Sequence, residues 1–291
     1  MARPTYQQIH TDIPLTNISV AYLPGQFIAE KAFPNIPVQK ISGKYFIYTK
    51  ADWLRREAQV RAPGSRAARS DYGLSTALYT CVEFALAKGV ADETQANADA
   101  PLNMLADATR FVTNQLYLQK EKLTANQIFG NSIWSTSSTP APLWSDPTAD
   151  IIQDVETAEN TIVGTIGTEA NMGVLGRGAW RFVKQAPSII DRIKYSAGPN
   201  SPAIATLNAV AAVLNLDSIL VGASIEDTAA QGATSSLSNI WGNHMSVMYS
   251  APNPSLLSPS AGYILSYQTR EVSRFREEQE RQDVIECRES W

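Results

Sequence analysis

The chain holds two imidazoles, His10 and His244, and neither has the company that general-base or metal chemistry requires. His10 lies in a proline-punctuated N-terminal stretch, and His244 ends the run Trp241-Gly242-Asn243-His244, so both read as ordinary core or surface residues. No H-E-x-x-H, G-x-S-x-G or G-x-x-x-x-G-K-[ST] pattern occurs. Gly173, Gly176 and Gly178 fall where a strand would pass into a helix. A dinucleotide-binding loop would need a further glycine at the position of Arg181, and a tight strand-to-helix turn is a sufficient reason for the three. Asp150 with Asp154, and Glu277, Glu278 and Glu280, stand in charge-rich stretches and read as solvated faces. Cys81 and Cys287 match no metal or redox spacing, and Cys81 reads as a buried free thiol.

One set of like side chains is dense enough to suggest recognition: Arg55, Arg56, Arg61, Arg66 and Arg69. Guanidinium groups bind phosphates and carboxylates equally well, through planar bidentate pairing. Asp52, Glu57 and Asp71 are interspersed, aromatics are few, and no lysine occurs between 51 and 71. Carboxylates of a neighbouring protein are therefore the better partner than nucleic acid. The charge distribution supports this. Residues 50–71 carry six basic and three acidic groups, whereas 123–176 carry six acids and no base. Formal net charge over 291 residues is -4, which gives no global cationic field for nucleic acid. No enzymatic constellation, cofactor loop or metal cluster emerges, and an α/β enzyme suffers from the missing catalytic groups.

The arginines need an element that carries them outward. Val38-Gln39-Lys40-Ile41 and Lys44-Tyr45-Phe46-Ile47-Tyr48 are β-prone, Ser42-Gly43 allows a bend between them, and Ser75 to Val82 reads as a returning strand. Residues 38–85 thus form one long hairpin arm whose tip has little apolar material to bury. A loop of that length in a compact domain signals function or contact with another chain. Before it, residues 1–37 hold Pro4, Pro14, Pro24 and Pro34 with short apolar patches at Ile18–Val20 and Phe27–Ile28, an extended arm laid on something else.

After it, apolar residues at helical spacing predict a long helix over Pro101–Phe129, roughly 40 Å at ~1.5 Å per residue. Pro101 suits its first turn and Gly130 its stop. A Ser/Thr/Pro/Trp loop leads to a second helix opening at Asp146-Pro147. An α/β section follows, with a strand at Met172–Gly176, a helix near Gly178–Gln185, a helix from Ser201-Pro202 and a strand at Leu216–Val221. Gly262–Thr269 is β-prone, and Arg270–Trp291 is a charged tail of net -2, five arginines against seven acids. The longest apolar stretch, Ala203–Leu216, is too short to span a bilayer, and the polar start shows no signal peptide, so no membrane association is expected.

The order of these features resembles the tailed-bacteriophage major capsid protein family. The likeness is carried by Tyr22-Leu23-Pro24-Gly25-Gln26-Phe27-Ile28-Ala29 with Phe33-Pro34, then Gly43-Lys44-Tyr45, Arg61-Ala62-Pro63-Gly64 and Asn97-Ala98-Asp99-Ala100-Pro101-Leu102. Gly176-Arg177-Gly178-Ala179-Trp180 and Ala186-Pro187-Ser188-Ile189-Ile190-Asp191 continue it. The resemblance implies an α+β HK-ninety-seven-like capsid fold. Its parts would be an extended N-terminal arm (1–37), an E-loop hairpin (38–85), a P-domain (86–170) with its spine helix at 101–129, an α/β A-domain (171–259), and a C-terminal strand and tail returning to the P-domain (260–291). The implied function is structural: hexamers and pentamers tiling an icosahedral shell around double-stranded DNA, in the virion, assembled in a bacterial cytoplasm. The implied partners are the chain itself, a separate scaffolding protein, a portal protein, a decoration protein in some members, and DNA contacted non-specifically. Some members crosslink covalently through Lys and Asn; Lys40, Lys44 and Lys50 are present, but nothing singles out a pair. The alternative class is a non-capsid oligomeric phage protein such as a tail-tube subunit.

Overall fold

The structure is a computed structural model that describes residues 27–98, 103–130, 133–134, 136–197, 205–255 and 258–291. His10, the Ile18–Val20 patch, Pro101 with Leu102, and Ser201-Pro202 lie outside the described residues.

In chain order the first elements are α1 (Ala29–Ala32), β1 (Asn35–Pro37), β2 (Ser42–Tyr48), α2 (Lys50–Leu54), β3 (Leu74–Thr80), β4 (Glu83–Ala91), α3 (Asp92–Ala96) and α4 (Met104–Phe129). There follow α5 (Ile151–Ile166), β5 (Met172–Gly176), α6 (Arg177–Val183), α7 (Pro187–Ala197), α8 (Leu207–Val213), β6 (Ser218–Gly222), β7 (Ile225–Asp227) and β8 (Leu237–Asn239). The chain closes with β9 (Met245–Met248), β10 (Ile264–Ser266), β11 (Gln268–Glu277) and β12 (Gln282–Ser290).

The long helix α4 is the spine. Its N-cap is Asn103, whose side chain accepts from the Ala106 backbone N–H at 3.1 Å. Ala108, Val112 and Leu116, spaced by four, lie against Val90, Val272, Ile285 and Cys287 of a three-stranded antiparallel sheet ordered β11-β12-β4. Further along, Ala125 and Ile128 meet Ile28, Phe33, Val174, Trp241 and Met248. One helix thereby bridges two cores, and burying each of its larger aliphatic side chains, Val112, Leu116 and Ile128, contributes about 1.5–3 kcal/mol.

The second core backs onto a sheet ordered β6-β5-β9, in which β5 runs parallel to β6 and antiparallel to β9. Its other face carries the helices α5 to α8, packed through Ile152, Val155, Trp180, Val183, Ile189 and Val210. Gly176 and Gly222 are required here for close approach. A Cβ on Gly176 would stand 2.0 Å from the Gly242 carbonyl oxygen, and one on Gly222 would stand 2.2 Å from the Trp241 ring. Gly176 has an ordinary φ of -72°, so intimate packing, not a special turn conformation, explains it.

Several sequence expectations shift. Residues 39–41 are bends, Val38 N–H donates to Ser266 O at 2.8 Å, and the outgoing strand is β2 alone. The second helix starts at Ile151, because the Asp150 carboxylate caps it by accepting from Gln153 N–H; Asp146 instead closes a turn onto Thr148. Thr206 caps α8 in the same way. The run 187–197, quoted above only for its motif, is helix α7. The largest correction concerns Arg270–Trp291. It is no tail but the hairpin β11–β12, with Val272, Ile285 and Cys287 turned into the first core. Its charges pair laterally, Arg274 with Asp283 at 2.8 Å and Arg288 with Glu271 at 2.9 Å.

Candidate assembly surface

β2 and β3 pair antiparallel from Ser42↔Thr80 to Tyr48↔Leu74 and join no other strand among the described residues. The root is tied down. The Cys81 backbone N–H donates to Ile41 O at 2.8 Å, and Val82 and Trp291 exchange backbone hydrogen bonds at 2.9 and 3.2 Å. Beyond the root the ribbon has no core of its own, and an isolated two-stranded ribbon is marginal in water. Eleven of the twenty exposed large hydrophobic side chains found among the described residues crowd into 41–82. Tyr45, Phe46, Ile47 and Leu78 are among them, and Leu78 is 75% exposed. Contiguous apolar exposure of this kind marks a surface meant to be covered.

At its far end the ribbon is closed by an aromatic trio. Tyr48, Trp53 and Tyr72 stand 5.7 to 5.9 Å apart between ring centroids, and the Asp52 carboxylate accepts from Gly73 N–H at 2.8 Å. The five arginines sit here, all exposed. Arg55 reaches Glu57 at 3.4 Å, and Arg61 donates to the Ser65 carbonyl at 3.2 Å. Arg56, Arg66 and Arg69 have no ion-pair partner among the described residues. The tip therefore presents an excess of unpaired cations. Sequence reasoning placed the arginines but missed the aromatic trio and the apolar ribbon. Alternation along Lys44–Tyr48 and Leu74–Leu78 was the available signal, and it was masked because both faces of the ribbon carry apolar groups.

A second constellation holds the entry to the hairpin. Glu121, fully buried on the spine, accepts hydrogen bonds from the backbone N–H groups of Ile28 and Ala29 at 2.9–3.1 Å, from Trp241 Nε1 at 2.6 Å and from Ser224 Oγ at 3.2 Å. Burial pushes its carboxyl above the ordinary value, and these donors only partly offset that. Its neighbour Lys120 pairs with Glu30 at 2.9 Å and Glu289 at 2.7 Å, while Arg270 bonds Glu289 at 2.8 Å and stacks over the Tyr117 ring at 3.9 Å. Two adjacent spine residues thus clasp α1, the C-terminal strand and the α/β layer together. The helical phase shared by Tyr117, Glu121 and Ile128 was the signal for a buried Glu121.

His244 packs against Phe129 with ring centroids 5.4 Å apart, and both cysteines are free and buried. Among the described residues no group of three or more His, Cys, Asp or Glu is arranged to hold a metal ion, and no helix is long and apolar enough to cross a membrane.

Solved structures share this architecture from end to end. A phage-related protein from Bordetella bronchiseptica RB50 superposes with a TM-score of 0.73 at 24% identity, over 97% of this chain and 92% of that one. The capsid protein of the cyanophage P-SCSP1u superposes with a TM-score of 0.60 at 11% identity, over 100% and 88%. The fold is the HK-ninety-seven-like phage capsid fold. No protein-family model matches the chain. The major capsid protein of Pseudomonas phage JBD67 is 25% identical over 242 residues, 82% of this chain and 76% of that protein. That of Burkholderia phage BcepMu is 26% identical over 269 residues, 87% and 82%. The chain is thus related, in sequence and in fold, to phage major capsid proteins.

Proposed function

We propose that this chain is the major capsid protein of a tailed bacteriophage, a structural protein that self-assembles as hexamers and pentamers into an icosahedral shell around double-stranded DNA. The observation that carries the reading is the capsid fold over the whole chain, joined to a hairpin whose apolar side chains have no core among the described residues. The tail-tube reading has no support in this architecture.

In this reading residues 38–85 are the E-loop, 86–170 the P-domain with α4 as its spine, 171–259 the A-domain, and 260–291 the return to the P-domain. The E-loop lies on adjacent subunits. Arg55, Arg56, Arg61, Arg66 and Arg69 pair there with carboxylates and set register more than affinity. A separate scaffolding protein, a portal and, on the finished shell, a decoration protein are the further partners. The bacterial cytoplasm is the site of assembly. The net negative charge suits a wall that must not retain DNA.

Negative-stain electron microscopy of the overexpressed chain, with and without a co-expressed scaffold, is the test. Closed shells are expected. Open tubes would favour the tail-tube class, and a monodisperse monomer under every condition would remove the capsid reading.

A further inference from the structure

The helical layer over the β6-β5-β9 sheet carries two faces of opposite charge that do not neutralise each other. On α6, Arg177, Arg181 and the C-cap residue Lys184 follow at spacings of four and three. They form one exposed stripe, while Ala179, Trp180 and Val183 on the opposite face are buried. None of the three cations has an ion-pair partner among the described residues; Arg181 lies 5.6 Å from the Phe182 ring centroid.

On α5 and just beyond it, Glu156 and Glu169 are exposed and Glu159 is partly buried between them. No base occurs anywhere in 123–176. Asp146, Asp150 and Asp154 of that stretch are engaged internally, with Thr148, Gln153 N–H and Trp144 Nε1. Glu159 Oε1 has no hydrogen-bond donor, and its carboxyl is raised by burial first and then by Glu169 and Glu156.

The faces lie on different flanks. α5 packs on β9 at one edge of the sheet, whereas α6 packs on β5 and β6 toward the other edge. A self-complementary contact through either face would set like charges together. Head-to-tail contact sets opposite charges together, and when the rotation closes it makes a ring.

We propose that the basic stripe Arg177/Arg181/Lys184 of one copy docks on the acidic face Glu156/Glu159/Glu169 of a second copy, a heterologous contact repeated around a ring. The occupant is a second copy and not DNA on grounds of charge. Three cations on a chain of net charge -4 make a weak polyanion site, while the complementary carboxylates are carried by the same chain. The proposal rests on the shell reading, and it adds to that reading which surfaces of the α/β layer meet.

Charge reversal with rescue tests it. Arg181→Glu/Lys184→Glu and Glu156→Lys/Glu169→Lys should each lower the assembled fraction in sedimentation velocity about tenfold at low salt, with circular dichroism unchanged. The four substitutions together should restore assembly to within about twofold of the unmodified chain. Failure of the combined variant to recover, or full assembly by either double variant, overturns the contact. Unchanged shells that lose only DNA retention assign the stripe to phosphate and overturn it too. If Glu156→Lys/Glu169→Lys rescues a hairpin-tip reversal at Arg61 and Arg66 instead, those acids belong to the tip. If the unmodified chain forms no oligomer, the shell reading fails together with this contact, an outcome distinct from the loss of the contact alone.

Discussion

The hairpin and the clasp at mid-spine invert the usual rule of protein interiors in opposite directions. Along β2 and β3, Tyr45, Phe46, Ile47 and Leu78 are exposed and join none of the buried clusters among the described residues. At the clasp, Lys120 and Glu121 are 2% and 0% exposed, and the interior is built on charge. The clasp is satisfied within the chain: Lys120 and Arg270 meet Glu289 and Glu30, and Glu121 accepts from backbone, indole and hydroxyl donors. The hairpin is incomplete, because its apolar surface has no partner among the described residues. The difference separates the part of the molecule that keeps its shape from the part that waits for a neighbour.

Breaking the clasp should therefore cost stability before assembly begins. Lys120→Met leaves Arg270 as the one cation among the described residues facing both Glu289 and Glu30, and removing one partner of a buried pair costs at most about 3–5 kcal/mol. The urea midpoint of the soluble subunit should fall accordingly, and an unchanged midpoint would mean that the pairs are solvated in solution. Glu121→Ala leaves Ser224 Oγ and the Ile28 and Ala29 backbone donors without their acceptor, and Trp241 Nε1 with Ser224 Oγ alone. A loss of about 3 kcal/mol is expected, with Glu121→Gln losing less.

The same carboxylate has a pH signature. Its folded-state pKa is raised, so the folded protein holds that proton more tightly than the unfolded chain does. The associated stability is present in full below the ordinary value of 4.5 and is lost as pH rises through the folded value. Asp92 behaves oppositely. Arg276, bonded to it at 2.5 and 2.6 Å, lowers its pKa, so that contribution is present above the ordinary carboxylate range and is lost on acidification. Stability of Glu121→Gln should be flatter with pH just above 4.5 than that of the parent. Parallel curves would show that the site stays ionised throughout.

Much of this architecture was legible from spacing. The spine, β5 and the returning hairpin strand follow from periodicities that local sequence carries. Arg270–Trp291 was not legible. Seven acids and five arginines in that run look like a solvated tail, and only the pairing of β12 with β4 and the burial of Ile285 and Cys287 reveal a core hairpin. Lateral ion pairs across a sheet leave no local pattern. The clasp was hidden for the same reason, since Glu30, Lys120, Glu289 and Arg270 lie far apart in sequence. The clustering of the tip arginines on an exposed tip was legible because they lie close together in sequence; that they pair with a neighbour's carboxylates remains the proposal.

Sharpening the other side of the comparison needs changes that leave the subunit intact. Phe46→Ser with Leu78→Ser removes apolar groups that touch no core, so subunit stability should stay within about 0.5 kcal/mol. Yield of closed particles should fall severalfold by electron microscopy. A subunit that unfolds instead would place the ribbon inside the monomer's own stability.

The smallest effect belongs to the tip charges. Arg61 and Arg66 are exposed, and an exposed ion pair contributes only about 0.2–1 kcal/mol. A shell repeats each contact many times, so a small term per subunit becomes a visible loss of closed particles. Arg61→Glu combined with Arg66→Glu would turn the two proposed attractions into repulsions, while the aromatic trio and the Asp52–Gly73 bond that shape the tip remain. Particle yield should drop at low salt and recover as added salt screens the repulsion over a Debye length of about 10 Å at 0.1 M. The purified subunit should keep its circular dichroism spectrum and its urea midpoint. If the double variant closes into shells normally at every salt concentration, the tip does not act through charge. Its hold on a neighbour would then come from Trp53, Leu54, Val60 and the backbone of residues 55–73.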